Sequence, residues 1–228
     1  MRVAVGQFSA GLDKAANLEH IAALTANAAN RGARLLVLPE GAMCDFGRAS
    51  EDLRPYAEAL DGPFIDGLRH LASRHGVTLV LGMFETIPGS LRIHNTAVVV
   101  DPRLGRVGAY RKRRLFDALG DRESERFQPG HDDSPIVEVD GFKVGLAICY
   151  ELRFPGLFEG IADRGADLVL LPAAWVAGPL KAEQWGVLVR ARAIDNTVYL
   201  VAAGQIGGRY AGRSTICLLY TSPSPRDS

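Results

Sequence analysis

A set of short apolar runs, each closed by a turn and alternating with longer stretches of helical spacing, constrains this chain most. Residues 34–38, 77–81, 96–100, 167–171 and 198–202 are dominated by Leu, Val and Ala. Their shortness and the turn residues beside them favour buried strands. Between them, residues 13–31 carry Leu18, Ile21, Leu24 and Ala28 on one helical face and stop at Gly32. Residues 63–75 do the same with Phe64, Leu68 and Leu71 and stop at Gly76, and 154–164 and 182–196 read as two more helices. The opening residues 2–8 are strand-like, and Pro88-Gly89 marks a turn. Residues 135–148 predict two strands joined at Asp140-Gly141, a pair favoured in tight hairpins. With no internal repeat or linker, this order predicts one α/β domain of two sheets packed face to face with helices outside. The 228 residues, 47% of them hydrophobic, suffice for one substantial core.

Residues able to do chemistry stand where these runs end. Val144-Gly145-Leu146-Ala147-Ile148 leads into Cys149 and then Tyr150-Glu151-Leu152-Arg153-Phe154-Pro155. Leu35-Leu36-Val37-Leu38 leads into Pro39-Glu40-Gly41. A third segment, Tyr110-Arg111-Lys112-Arg113-Arg114-Leu115-Phe116, sets cations between apolar flanks. Each has a plain alternative. Cysteine is among the most buried residue types and is often inert, while Glu40 and Lys112 could be solvated charges. Taken together they form a Glu, Lys and Cys set at strand ends. A thiolate is a strong nucleophile near neutral pH.

The three motifs L-P-E-G, Y-R-K-x-x-L-F and C-Y-E-L-R-F-P, in this order, resemble the nitrilase or carbon–nitrogen hydrolase superfamily, over residues 1 to about 216. The last motif looks most like the amidase branch that includes omega-amidases and deaminated glutathione amidases. The chain departs from that branch at Arg114, where many relatives have His, and at Gly156, where Glu is frequent. The resemblance implies a four-layer αββα sandwich whose subunits pair as a homodimer or higher homo-oligomer through their helices. It implies Glu40 as general base, Cys149 as nucleophile, and Lys112 with the backbone N–H of Tyr150 as oxyanion donors. Arg122-Glu123-Ser124-Glu125-Arg126 resembles the family's loop after the lysine, which makes Glu123 a second catalytic glutamate, with Glu125 two residues away as the competing assignment. Arg153 is a candidate for a substrate carboxylate, or else a partner of Glu151. Trp175, beyond the 167–171 run, either walls the pocket or packs the core. No metal or organic cofactor is implied. The expected reaction is hydrolysis of a small linear amide bearing a carboxylate, through a cysteine thioester, with release of ammonia. The rivals are an N-carbamoyl amino-acid amidohydrolase, a nitrilase, and a catalytically silent scaffold of the same fold.

The 26 basic and 26 acidic residues cancel, so charge suggests no nucleic-acid partner, and Arg111 to Arg114 is a weak basic patch. Three cysteines, Cys44, Cys149 and Cys217, have no metal-binding spacing and leave one unpaired in any disulfide scheme. With no leader-like segment and no apolar stretch of spanning length, a cytoplasmic protein away from membranes is expected. Residues 217–228, when back-translated, resemble a sequencing-library adapter read in frame. Residues 1–216 are therefore expected to form a hydrolase domain that is incomplete at its C-terminus and leaves a sheet edge unpaired.

Overall fold

The computed structural model describes residues 1–118 and 120–217. Two five-stranded sheets form the centre. In the first, β1 (Val3–Val5), β2 (Leu35–Val37) and β3 (Thr78–Glu85) run parallel, and β4 (His94–Asp101) and β5 (Gly105–Arg111) follow antiparallel. In the second, β7 (Phe142–Leu146), β8 (Leu168–Ala173) and β9 (Tyr199–Gly204) run parallel, flanked by antiparallel β6 (Val137–Val139) and β10 (Thr215–Cys217). The α-helices among the described residues are α1 (Lys14–Asn30), α2 (Pro63–His75), the one-turn α3 (Glu123–Arg126), α4 (Pro155–Asp163) and α5 (Lys181–Asn196).

The period of two along a strand sorts the core into layers. Leu35 and Val37 of β2, with Ala97 and Val99 of β4, pack in the cluster that contains the second sheet. Their neighbours Leu36, Leu38, Val98 and Val100 pack with Ile21 of α1 and Phe64 and Leu68 of α2. On the far side, Phe158 and Ile161 of α4 and Trp185 and Val189 of α5 cover the second sheet. The order is helices, sheet, sheet, helices: the expected αββα sandwich.

Local chemistry explains the boundaries. The Asp13 carboxylate caps α1 by accepting from the N–H groups of Ala15 and Ala16, at 2.9 and 3.2 Å. Gly76 ends α2 in the left-handed conformation (φ 65°). Asp140 and Gly141 both take positive φ, as a two-residue hairpin turn requires. Two expectations need correction. The 77–81 run continues to Glu85, because its antiparallel partner β4 starts at His94 and supplies paired backbone throughout. β5 was not foreseen as a strand. Its glycines and charges hide any alternation, and pairing with β4 decides its conformation. Cys217, the first residue of the expected tail, closes β10 opposite Leu200; the rest of that tail lies outside the described residues.

Candidate active site

The topology brings strand ends together. β2, β3 and β5 finish at the edge where antiparallel β4 begins, so Glu40, Lys112 and Asn95 meet there. From the facing sheet, β7 delivers Cys149 and β8 delivers Ala174 to the same place. Two glycines let the backbone come this close. A Cβ on Gly82 would lie 2.7 Å from the Glu40 Cα, and one on Gly130 would lie 2.3 Å from the Arg111 carbonyl oxygen, next to Lys112.

Lys112 is buried and donates from Nζ to Glu40 Oε1 at 2.9 Å and to both Glu123 oxygens at 3.0 and 2.9 Å. Asn95 Nδ2 bridges the same carboxylates, at 2.7 Å to Glu40 Oε1 and 2.9 Å to Glu123 Oε1. The N–H of Ala174 donates to Glu40 Oε2 at 2.8 Å, and that of Phe116 to Glu123 Oε2 at 2.6 Å. One cation thus faces two carboxylates. Burial works against the charge on Lys112, but Glu123 and Glu40 outweigh it and hold the ammonium above the ordinary lysine range. The two loop glutamates lie in different surroundings. Glu123 is 6% exposed at its side chain and sits on Lys112, while Glu125 is 63% exposed and pairs with Arg122.

Cys149 opens a 3-10 turn, Cys149–Arg153, with φ 44°. A non-glycine residue there costs about 1–3 kcal/mol and is characteristic of functional turns. Its thiol lies beside the Glu40 carboxylate and the Lys112 ammonium, and both charges act on it. Burial, then the Glu40 charge, push the thiol well above its usual value, and Lys112 offsets this only in part.

Glu151 fixes the turn. Its fully buried carboxylate accepts from Ile148 N (2.8 Å), Arg113 N (2.8 Å), Arg114 N (3.2 Å) and the Tyr110 hydroxyl (2.8 Å). It therefore ties the Cys149 turn to the segment carrying Lys112. Burial raises its pKa despite these donors. Arg153, whose alternative was a bridge to Glu151, instead donates to Gln184 Oε1 at 2.7 Å and lies over the Trp175 ring at 5.0 Å. Trp175 both walls the pocket and packs edge-on against Trp185. Tyr150 lines the pocket with its ring between Phe116 and Phe154. The basic run disperses: Arg111 pairs with Glu85, Arg113 with Asp133, and Arg114 lies over Phe154. Open space surrounds Gly156, so nothing in this fold demands glycine there.

Above this floor is a pocket of about 570 Å³, open mouth included. Its walls come from residues within the 41–50, 113–130 and 173–181 segments and from Arg209 and Tyr210. Lys181 lies 5.5 Å from the centres of both Phe116 and Trp175. Burial and nearby Arg153 lower its pKa. Asn95, Glu151, Lys181 and Gln205, which donates to the backbone oxygens of Glu40 and Gly41, were not singled out from sequence as parts of the site. A signal existed for one: Asn95 is the polar residue just before an apolar β-run. Among the described residues, no cluster of three or more His, Cys, Asp or Glu is arranged to hold a metal ion.

Cys149, Glu40 and the buried Lys112 thus meet at the foot of one pocket on an αββα sandwich. The carbon-nitrogen hydrolase family model matches residues 2–218, and the chain belongs to that family, within the nitrilase superfamily. It is 43% identical over 207 residues to Hydrolase MT0498 of Mycobacterium tuberculosis, covering 90% of this chain and 72% of that protein. It is 40% identical over 218 residues to the deaminated glutathione amidase of Escherichia coli O157:H7, covering 95% and 82%. The solved NitN amidase of Neterenkonia sp. AN1 superposes with a TM-score of 0.86 at 27% identity, covering 98% of this chain and 87% of that one. A glutamate-to-glutamine variant of the Nesterenkonia amidase shows Michael addition of acrylamide at its active-site cysteine.

Proposed function

We propose that this carbon–nitrogen hydrolase is an amidase that cleaves a small linear amide bearing a carboxylate, through a thioester on Cys149, releasing ammonia. The observation that carries the reading is the meeting of Cys149, Glu40 and Lys112 at the floor of one pocket, with Lys112 bonded to Glu40. As the thiol attacks the amide carbon, its proton passes to Glu40, so no free thiolate need accumulate in a floor that already holds two carboxylates. Lys112 and the backbone N–H of Tyr150 stabilise the tetrahedral oxyanion. Glu40 then gives its proton to the departing nitrogen, and ammonia leaves as the thioester forms. In the second half Glu40 takes a proton from water, the hydroxyl oxygen adds to the thioester carbon, and collapse returns the proton to sulfur and frees the acid. Glu123 keeps Lys112 charged and aimed.

The carboxylate preference rests on Arg153 and Lys181, which share the Trp175 ring. Among the described residues neither has a carboxylate partner, so a substrate anion would complete both. The N-carbamoyl reading uses the same floor and is separated by assay. We also propose a homodimer through α5, whose exposed Val187 and Ile194 lie on one face. A cytoplasmic location accords with three free cysteines, and no helix among the described residues is long and apolar enough to cross a membrane.

The test is ammonia release from α-ketoglutaramate, deaminated glutathione, an N-carbamoyl amino acid and a simple nitrile, with Cys149→Ala as control. Turnover of an ω-amide, abolished in the variant, is expected. Activity on the carbamoyl compound alone would replace the reading with its rival. Silence of the folded protein across the panel would favour the scaffold.

A further inference from the structure

Asn95 Oδ1 is the one buried side-chain polar atom without a hydrogen-bond partner among the described residues. Leaving such an acceptor unpaired costs about 1–3 kcal/mol, and the reason lies on the other side of the amide. Both N–H hydrogens of Asn95 are used, at 2.7 Å on Glu40 Oε1 and 2.9 Å on Glu123 Oε1. Turning the amide over would set its oxygen against two carboxylate oxygens at those distances, with no donor between them. The orientation is therefore fixed by the glutamates. The main-chain carbonyl of Asn95 also accepts the Lys112 backbone N–H, at 2.8 Å. One residue at the start of β4 thus touches three of the groups on which the proposed chemistry depends.

The donor count shows what this contact is for. The Lys112 ammonium has three hydrogens and makes three contacts, one to Glu40 and two to Glu123. To reach an oxyanion it must withdraw one of them. Glu123 can release it, because its Oε1 keeps the Asn95 N–H and its Oε2 keeps the Phe116 N–H. Glu40 Oε1 likewise keeps an Asn95 hydrogen if Lys112 moves. We propose that Asn95 is a positioning residue for hydrolysis: it holds Glu40 and Glu123 aligned and charged while Lys112 turns a hydrogen toward the reacting oxygen. This rests on the amidase reading for its reaction but not for its test.

The test uses Asn95→Leu, close in size with no donor, and Asn95→Asp, which can donate one hydrogen only while protonated. Two readouts are taken from pH 5 to 9: kcat and KM on the best amide of the panel, and the rate of Cys149 alkylation by iodoacetate, followed by peptide mass. In Asn95→Leu, kcat is expected to fall on the order of 10²-fold with KM changed little, the scale of lost hydrogen bonds to charged groups. The acid limb of its profile should move to higher pH, since charged carboxylates lose donors that favour them. Asn95→Asp should be most active at the acid end and gain an alkaline decline that the wild type lacks. If the leucine variant does not fold, this decline alone decides. Folded variants with unchanged kcat, labelling and pH profile would overturn the proposal. So would an aspartate variant impaired by the same factor at every pH. Wild-type labelling of Cys149 without turnover of any amide would sink the amidase reading and leave this test standing.

Discussion

Cys149 and Cys44 are both buried free thiols, and burial raises the pKa of both. Their surroundings differ. Cys44 is pushed up to about 12 by burial and by Asp45, and its sulfur faces the backbone oxygens of Leu12 and Asp45. Among the described residues its hydrogen-bond acceptors are these backbone oxygens and no side-chain carboxylate. Cys149 has the Glu40 carboxylate and the Lys112 ammonium beside it and a pocket in front of it. Burial therefore makes a thiol quiet, and reactivity comes from an acceptor and a cation placed to act only when a substrate carbon arrives. On the proposed reading, Cys44 is packing and Cys149 is chemistry.

The sharpest way to break this contrast is to remove each thiol. Cys149→Ala is expected to reduce amide hydrolysis on the order of 10⁶-fold, to background, whereas Cys44→Ala should keep kcat and KM. Equal losses in both would erase the distinction. Next in size is Lys112→Met, expected to lower kcat by about 10²–10³-fold for want of an oxyanion donor. It should also destabilise the fold by about 3–5 kcal/mol, because two buried carboxylates lose their cation. Urea midpoints and steady-state kinetics on one preparation separate the two effects. Arg153→Met and Lys181→Met sharpen the picture at the pocket mouth. Each should raise KM for a carboxylate-bearing amide by about 10- to 100-fold, as expected for one charged hydrogen bond, and leave a neutral amide of similar length unaffected. A loss of kcat on both substrates would move these residues from recognition to the floor.

The smallest expected effect is on stability against pH. A thiol whose folded pKa lies above its unfolded value binds its proton more tightly when folded. Its contribution is complete below pH 9 and is lost as pH rises toward about 12 for Cys44. Thermal melts of the wild type should therefore decline through that window, and Cys44→Ala should decline less steeply. A variant that follows the wild type across the window would show that Cys44 ionises in the folded state as it does unfolded.

The residues that were legible in the sequence are those in which chemistry follows an apolar run. Glu40 and Cys149 stand just past strands whose composition announces burial, and Lys112 stands at the end of β5 inside a run that kept its motif. The four layers were legible for the same reason, since short runs and helical faces are written in local spacing. What pairing across space decides was not legible. β5 carries too many glycines and charges to look like a strand, yet β4 makes it one. Glu151 was a possible partner for Arg153, but four donors from two segments hold it inside. Glu123 and Glu125 are equivalent on paper and opposite in space, because a single turn, α3, points one at Lys112 and the other at solvent. Arg209 and Tyr210 reach the pocket from beyond β9, a proximity that no local pattern encodes.

The central claim is that Cys149, not Cys44, carries an acyl group during amide hydrolysis, and acid quenching tests it most directly. Protein turning over an ω-amide would be quenched within the first turnovers, digested, and read by peptide mass. The account predicts the acyl mass on the peptide containing Cys149, none on that containing Cys44, and ammonia in step with turnover. Ammonia released at the wild-type rate by Cys149→Ala, or an acyl group found only on another residue, would contradict it.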